Sequence, residues 1–331
     1  MTPQESQISV IDPISPAIER VKTILFRPFD FGKWFVIGFG AWLAYLGSGG
    51  GGGGPNFNFP GVQQRHEPQI QEAFHHAKEV VVDNLYWILP AFIIGALVII
   101  GLLVLLIWLS SRGHFMFLHC VALNKAEIKV PWRKFKKQSN SLFLFRVVVG
   151  LISLAFFALI AGTIAFVAVL CFVSRSRPAA LGIVLIILLS ILVMIPAVIV
   201  IALIKKFTWD FVVPIMSLRQ GTCMAAWREF WKLLTGNKGR FTLYILFQIV
   251  IAIAIGTIGA TVACLFSCLF LCITCGIACC LMILPPFSIA YGYVITVLLL
   301  PLSVFKRSYS LLYLRQYGPS FDVLSPEIAT T

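Results

Sequence analysis

Charge is what this sequence has least of. Asp, Glu, Lys and Arg make up 12% of its 331 residues, where a soluble domain carries about 25%. From Phe241 to Val304 there are 64 consecutive residues with none of the four. A helix crosses a bilayer with roughly 20 apolar residues, so this run alone has room for two crossings. Catalytic signatures are missing as well: there is no metalloprotease helix, no nucleophile elbow and no group of acids within the apolar runs. The first 24 residues hold charges and prolines but no apolar stretch. We therefore expect no cleaved signal peptide, and expect the first apolar segment to direct insertion.

What is abundant is apolar surface, at 59% hydrophobic residues and a mean hydropathy of +0.94. The net charge of +13 raises the question of nucleic acid, but its distribution answers it. Of 26 Lys and Arg, four precede the first apolar run, seven lie in 111–141, seven in 205–240 and three in 305–331. Only Arg65, Lys78, Arg175 and Arg177 fall in the alternate loops, with Arg146 just inside a span. This is the asymmetry of cytoplasmic loops. It predicts an even number of spans with both termini cytoplasmic, in a cell (inner) membrane, and leaves no charge for nucleic acid to explain.

The fold expected is all-α: a polytopic transmembrane helical bundle, with six spans arranged as three parallel two-span repeats and amphipathic helices at the interface. After a disordered 1–14 come repeat 1 (15–125), repeat 2 (126–221), repeat 3 (222–318) and a tail (319–331). Repeat 1 carries an outward insertion, 47–85. Each unit reads as surface helix, span, turn, span, and an apolar-aromatic continuation. Leu218-Arg219-Gln220-Gly221 and Leu314-Arg315-Gln316-Tyr317-Gly318 trail even-numbered spans, and Ala17-Ile18-Glu19-Arg20, Pro131-Trp132-Arg133-Lys134 and Ala226-Trp227-Arg228-Glu229 precede odd ones. Mitochondrial carriers share such a layout, and Pro28-x-Asp30-x-x-Lys33 matches the core of their signature. That signature belongs at the far end of each odd span, whereas here it precedes the first and recurs after neither span three nor span five.

Asp210-Phe211-Val212-Val213-Pro214-Ile215-Met216, Ala226-Trp227-Arg228-x-Phe230, Gly239-Arg240-Phe241 and the ending Leu314-Arg315-Gln316-Tyr317-Gly318 support a family resemblance. With them the chain resembles uncharacterised six-span bacterial proteins related to the membrane domain of glycerophosphodiester phosphodiesterases. The catalytic barrel, some 250 residues, is absent. The resemblance implies a bacterial membrane location and supplies no activity.

Candidate sites follow from spacing. Trp227, Phe230, Trp231 and Leu234 fall at i, i+3, i+4 and i+7, opposite Arg228 and Lys232, the pattern of a helix lying on a membrane. The connector before it repeats the chemistry with Trp132, Phe135, Arg133, Lys134, Lys136 and Lys137. Arg133, Lys134, Lys136, Lys137, Arg228 and Lys232 are thus expected to face the headgroups of an anionic leaflet. Trp132, Trp209, Trp227 and Trp231 are expected to anchor the interface. Arg146 and Asp210 are the candidate intramembrane polar residues: Arg146 is expected to snorkel to the surface, and Asp210 to pair with Lys206 four residues earlier.

The remaining candidates have plain readings. Glu72, His75, His76, Glu79 and Asp83 share one face of a helix expected over 67–85, which reads as a solvated face rather than a cation site. Cys264, Cys268 and Cys272 are four apart and Cys272-x-x-Cys275 precedes Cys279-Cys280; helix packing is the expectation, with a disulfide or a thiolate metal cluster as alternatives. The glycine tract at 47–54 lacks the Gly-Lys-Ser/Thr ending of a phosphate loop and reads as a linker. No cofactor or metal is expected. The function expected is that of a non-enzymatic membrane scaffold or organising protein contacting anionic lipid, against a transporter or channel, or a lipid-acting enzyme.

Overall fold

Phe241 to Val304 are uninterrupted apolar sequence, and the computed structural model of the chain answers such runs with long helices. It describes residues 8–46, 85–174, 178–273 and 285–324. Among them every regular element is helical. The surface helix α1 (Ile14–Leu25) precedes α2 (Phe31–Tyr45), which Asp30 caps by accepting the Gly32 amide at 2.8 Å. Then come α3 (Leu85–Leu123), α4 (Lys129–Lys134), α5 (Lys136–Ser174) and α6 (Pro178–Phe207). A π-helical turn (Thr208–Val212) joins α6 to α7 (Val213–Arg219). They are followed by α8 (Cys223–Gly236), α9 (Lys238–Ile273), α10 (Pro285–Leu298) and α11 (Leu300–Arg315).

Among the described residues four helical stretches are long and apolar enough to cross a membrane: Leu89–Leu123, Lys136–Val167, Leu188–Arg219 and Lys238–Phe270. The pair α10–α11, bent by 63°, makes a fifth if it is one span. The bend falls where Pro301 has no N–H for the preceding turn and its ring crowds the carbonyl four residues back. Helix α2 has 15 residues, about 23 Å at 1.5 Å per residue, against roughly 30 Å of hydrocarbon. The set is compatible with a multi-pass membrane protein. The expected helix at 67–85, with His75 and His76, lies outside the described residues, as do Cys275, Cys279 and Cys280. Cys264, Cys268 and Cys272 are free and exposed along α9, not packed between helices as their small apolar character suggested.

The packed core sits at one end of these helices. Phe115–Val121 of α3, Phe211–Met216 around the π turn, and Tyr309, Leu311, Tyr313 and Leu314 of α11 are buried together with Phe230 of α8 and Phe241 and Tyr244 of α9. Their rings interlock. Phe211 stacks on Phe230 at 5.2 Å and meets Phe241 at 5.4 Å and Tyr244 at 5.0 Å, while Tyr244 lies 4.5 Å from Tyr313. Such pairs contribute about 0.5–1.5 kcal/mol each beyond their area. Beyond this end the helices are apolar on all sides and little covered by the other described residues: on α3 the run Leu97, Val98, Ile99, Ile100 is exposed, and on α6 so is Leu192, Val193, Met194, Ile195.

Helix ends at the core are tied by specific contacts. Arg20 of α1 donates to the carbonyls of Val121 (3.0 Å) and Ala122 (2.6 Å), which the end of α3 leaves without helical partners. Burial lowers the pKa of that guanidinium, and Asp322 opposes the shift. Asn124 and Gln220, both with left-handed backbone (φ 56° and 51°), stop α3 and α7. The N-terminal segment closes on the last helix: Ser9 and Gln316 exchange two hydrogen bonds, and Tyr309 donates to the Val10 carbonyl at 2.7 Å.

Helix α2 reaches α3 because Gly113 has no side chain. A Cβ there would stand 2.5 Å from the Ala44 nitrogen and the Leu43 carbonyl carbon, both backbone atoms that cannot rotate away. Gly113→Ala should therefore destabilise the protein by about 1–3 kcal/mol, read as a lowered thermal midpoint in detergent. Gly150→Ala, where nothing lies within 4 Å, should leave the midpoint unchanged or raise it. Equal midpoints for the two variants would show that α2 does not pack as described.

Candidate functional site: a buried cationic cluster beside the aromatic core

The cluster begins with one proline. The π turn sends the Val213 amide to the Thr208 carbonyl, and the next residue, Pro214, has no N–H to give. The Trp209 carbonyl is left without its helical donors, and a buried carbonyl without a donor is costly. Arg307 of α11 fills the gap, donating from Nη1 to the Trp209 oxygen in a short hydrogen bond. The rest of that buried guanidinium is unsatisfied: Nε and Nη2 have no partner.

One residue on, Asp210 anchors a closed ring of polar contacts. Its Oδ2 receives Lys206 Nζ at 2.8 Å and the Tyr244 hydroxyl at 2.9 Å. Gln248 donates to the Tyr244 oxygen at 3.0 Å and accepts from Lys206 at 3.1 Å. The i,i+4 pairing of Lys206 with Asp210 is the one the spacing predicted. Tyr244 and Gln248, one turn apart on α9, escaped sequence reasoning, because only the chain crossing brings them to Asp210.

On the other side of Trp209, Arg146 of α5 enters the bundle. The sequence suggested that it snorkels outward; instead its Nη1 bonds Ser110 and Ser111 at 3.1 Å each and the Ile107 carbonyl at 3.4 Å. Each serine spends its own hydrogen on a carbonyl, Ala44 for Ser110 and Ile107 for Ser111, leaving lone pairs free to accept. The Arg146 guanidinium lies 4.8 Å from the Trp209 ring centroid, and the His114 ring stacks on the same indole at 3.3 Å. His114 Nε2 has no partner. Trp209, expected as an interfacial anchor, is thus held inside, and it links Arg146, His114 and Arg307.

The other expected anchors divide. Trp132 lies against the Arg112 guanidinium, which is 4.6 Å from its ring and 4.3 Å from that of Trp108. Trp227 is half-buried against Phe230 and Phe145. Trp231 is 58% exposed. The greasy face of α8 therefore turns its Phe230 into the core, along a line with Cys223 and Ala226, and leaves Trp231 to solvent or lipid. Of the expected headgroup cations, Arg133, Lys136, Lys137, Arg228 and Lys232 are exposed and Lys134 is half-buried. None of them makes an ion pair among the described residues; Glu229 is taken by Arg219 at 2.9 Å. They form a basic rim around the core end.

A groove of about 410 Å³ lies between α1 and α11, with Arg20, Ile24, Asn124, Leu312 and Arg315 in its wall. Among the described residues no group of His, Cys, Asp and Glu has the arrangement of a metal site.

The Asp210 ring predicts unequal mutant costs. Asp210→Ala leaves Lys206 and the Tyr244 hydroxyl without their shared acceptor, and should destabilise by about 3–5 kcal/mol. Tyr244→Phe removes one hydrogen bond and should cost about 0.5–1.5 kcal/mol. Thermal midpoints of the purified variants check the order, and an equal loss for both would contradict the ring.

Residues 8–324 match the profile of the family of unknown function DUF7544, nearly the whole chain, which therefore belongs to that family. No curated protein and no solved structure matches it. The family match provides no link to glycerophosphodiester phosphodiesterase membrane domains.

Proposed function

We propose that this DUF7544 protein is a six-span inner-membrane protein, bacterial by its motif resemblance, with three parallel two-span repeats and both termini cytoplasmic. It works without chemistry, as a membrane-organising scaffold that holds an anionic leaflet against its basic rim. The observation that carries this reading is the separation of surfaces. Unpaired cations ring the end where the core lies, and the helices leaving it are apolar on every side and uncovered. A helix apolar all round belongs in lipid or in a large core, and a cationic end belongs on the cytoplasmic side.

Three further features support the repeat. Asn124, Gln220 and Gln316 stand at a constant spacing, 220 − 124 = 96 and 316 − 220 = 96, and the first two end helices in the left-handed conformation. The same spacing relates His114, Asp210 and Lys306. Ala17, Pro131 and Ala226, which head the three matching surface-helix motifs, are all buried. The kinship with the membrane domain of the phosphodiesterases remains part of this proposal, on the Asp210-to-Met216 motif.

Each exposed cation near an anionic leaflet contributes on the order of 1 kcal/mol, weakened by salt. In liposomes containing phosphatidylglycerol, the full chain should enrich that lipid around itself in a salt-dependent way, by fluorescence quenching with a labelled lipid. Replacing Arg133, Lys136, Lys137, Arg228 and Lys232 by Gln should abolish the enrichment, and enrichment unchanged in that variant would refute the rim. For topology, single cysteines at Ser48 and Ser176, with native cysteines removed, should react with an impermeant thiol reagent in intact cells. Labelling at Thr235 but not at those two would invert the orientation.

A further inference from the structure

The rim does not account for the charge inside. Arg146 approaches the ring of Trp209 and Arg307 its carbonyl, while Lys206 pairs with Asp210 and Lys306, next to Arg307 on α11, is within electrostatic reach of both. Among the described residues these are four cations on two successive residues that offer the single carboxylate of Asp210. Lys206 alone of the four makes an ion pair with it. Arg146 is held by neutral hydroxyls and a carbonyl, Arg307 by a carbonyl, and Lys306 makes no ion pair among the described residues. Charge taken out of water without a counterion is expensive. Nor is it only charge that is uncompensated: two donors of Arg307, Nε and Nη2, are buried with no partner among the described residues, and native structures leave few such groups unsatisfied.

We infer that this cluster is a binding site for a phosphate-type oxyanion, which supplies the missing negative charge and acceptor oxygens. Planar guanidinium forks match phosphate geometry and keep their charge when buried. Arg146 and Lys206 are only half-buried and so can be reached from outside, whereas Arg307 is buried. The adjoining helix surfaces are apolar and exposed. The anion is thus either the headgroup of a phospholipid whose chains lie along those surfaces, or free phosphate. This inference builds on the reading of the chain as a membrane protein, but it does not depend on the rim.

Native mass spectrometry of the full-length, detergent-purified protein tests it with three probes: phosphatidylglycerol, phosphatidylcholine and inorganic phosphate. Arg307→Gln is unsuitable, since it also strips the Trp209 carbonyl. Arg146→Gln and Lys306→Gln remove charge at side chains that are not fully buried, and their thermal midpoints confirm that each is folded. One phosphatidylglycerol retained at high salt, with phosphatidylcholine lost, identifies the lipid headgroup; a phosphate adduct that excludes the lipid identifies the free anion. In either case the folded Arg146→Gln or Lys306→Gln protein should retain at least about tenfold less (about 1.4 kcal/mol), and the rim variant should retain as much as wild type. The inference is overturned if no probe is retained, or if retention is unchanged in both inner variants. Retention lost only in the rim variant would likewise overturn it and leave the rim reading standing.

Discussion

A proline that cannot donate and an arginine that must are the pair on which the core end depends. Pro214 ends the run of backbone hydrogen bonds at the π turn, and the Trp209 carbonyl it strands is satisfied by Arg307 from the last helix. Because the donor comes from α11, the junction between α6 and α7 cannot close on itself. It is completed only when α11 has docked. Asp210 and Trp209 then face different neighbours, Asp210 towards Tyr244 and Gln248 and Trp209 towards His114 and Arg146. One irregular turn thus ties together α3, α5, α9 and α11.

The packing follows from where side-chain variety is available. Along the outer halves of the long helices the described residues are uncharged and mostly apolar, and between helices in lipid such surfaces gain little by choosing protein over lipid tails. At the core end, rings, hydroxyls, amides and charges offer directional contacts, and there the helices meet. The result is a molecule held at its base, with apolar helices that only lipid or a like surface can cover.

Much of this was legible from residue order, and the exceptions share a cause. Long apolar runs read as long helices, and the pairing of Lys206 with Asp210 is a local effect within one turn. The amphipathic pattern of α8 was also visible, but periodicity cannot say what the apolar face meets. Phe230 meets Phe211 rather than the membrane surface. Arg146 and Trp209 misled for the same reason. A long cation and an indole near a span end suit the interface equally well until another helix offers Ser110, Ser111 and His114. Tyr244 and Gln248 had no sequence signal at all, since their role depends on a crossing between α6 and α9. The segment with His75 and His76, expected as a helix, lies outside the described residues.

The account stands or falls on the link between Pro214 and Arg307, and a double-mutant cycle measures it directly. Pro214→Ala returns an N–H to the turn, giving the Trp209 or Asp210 carbonyl a donor of its own. Arg307→Gln should then cost less in the Pro214→Ala background than in the wild type, by about 1–3 kcal/mol, read from unfolding of the purified protein in one detergent. Strictly additive losses would contradict the account, because they would mean that Arg307 is held for reasons unconnected with the carbonyl that the proline strands.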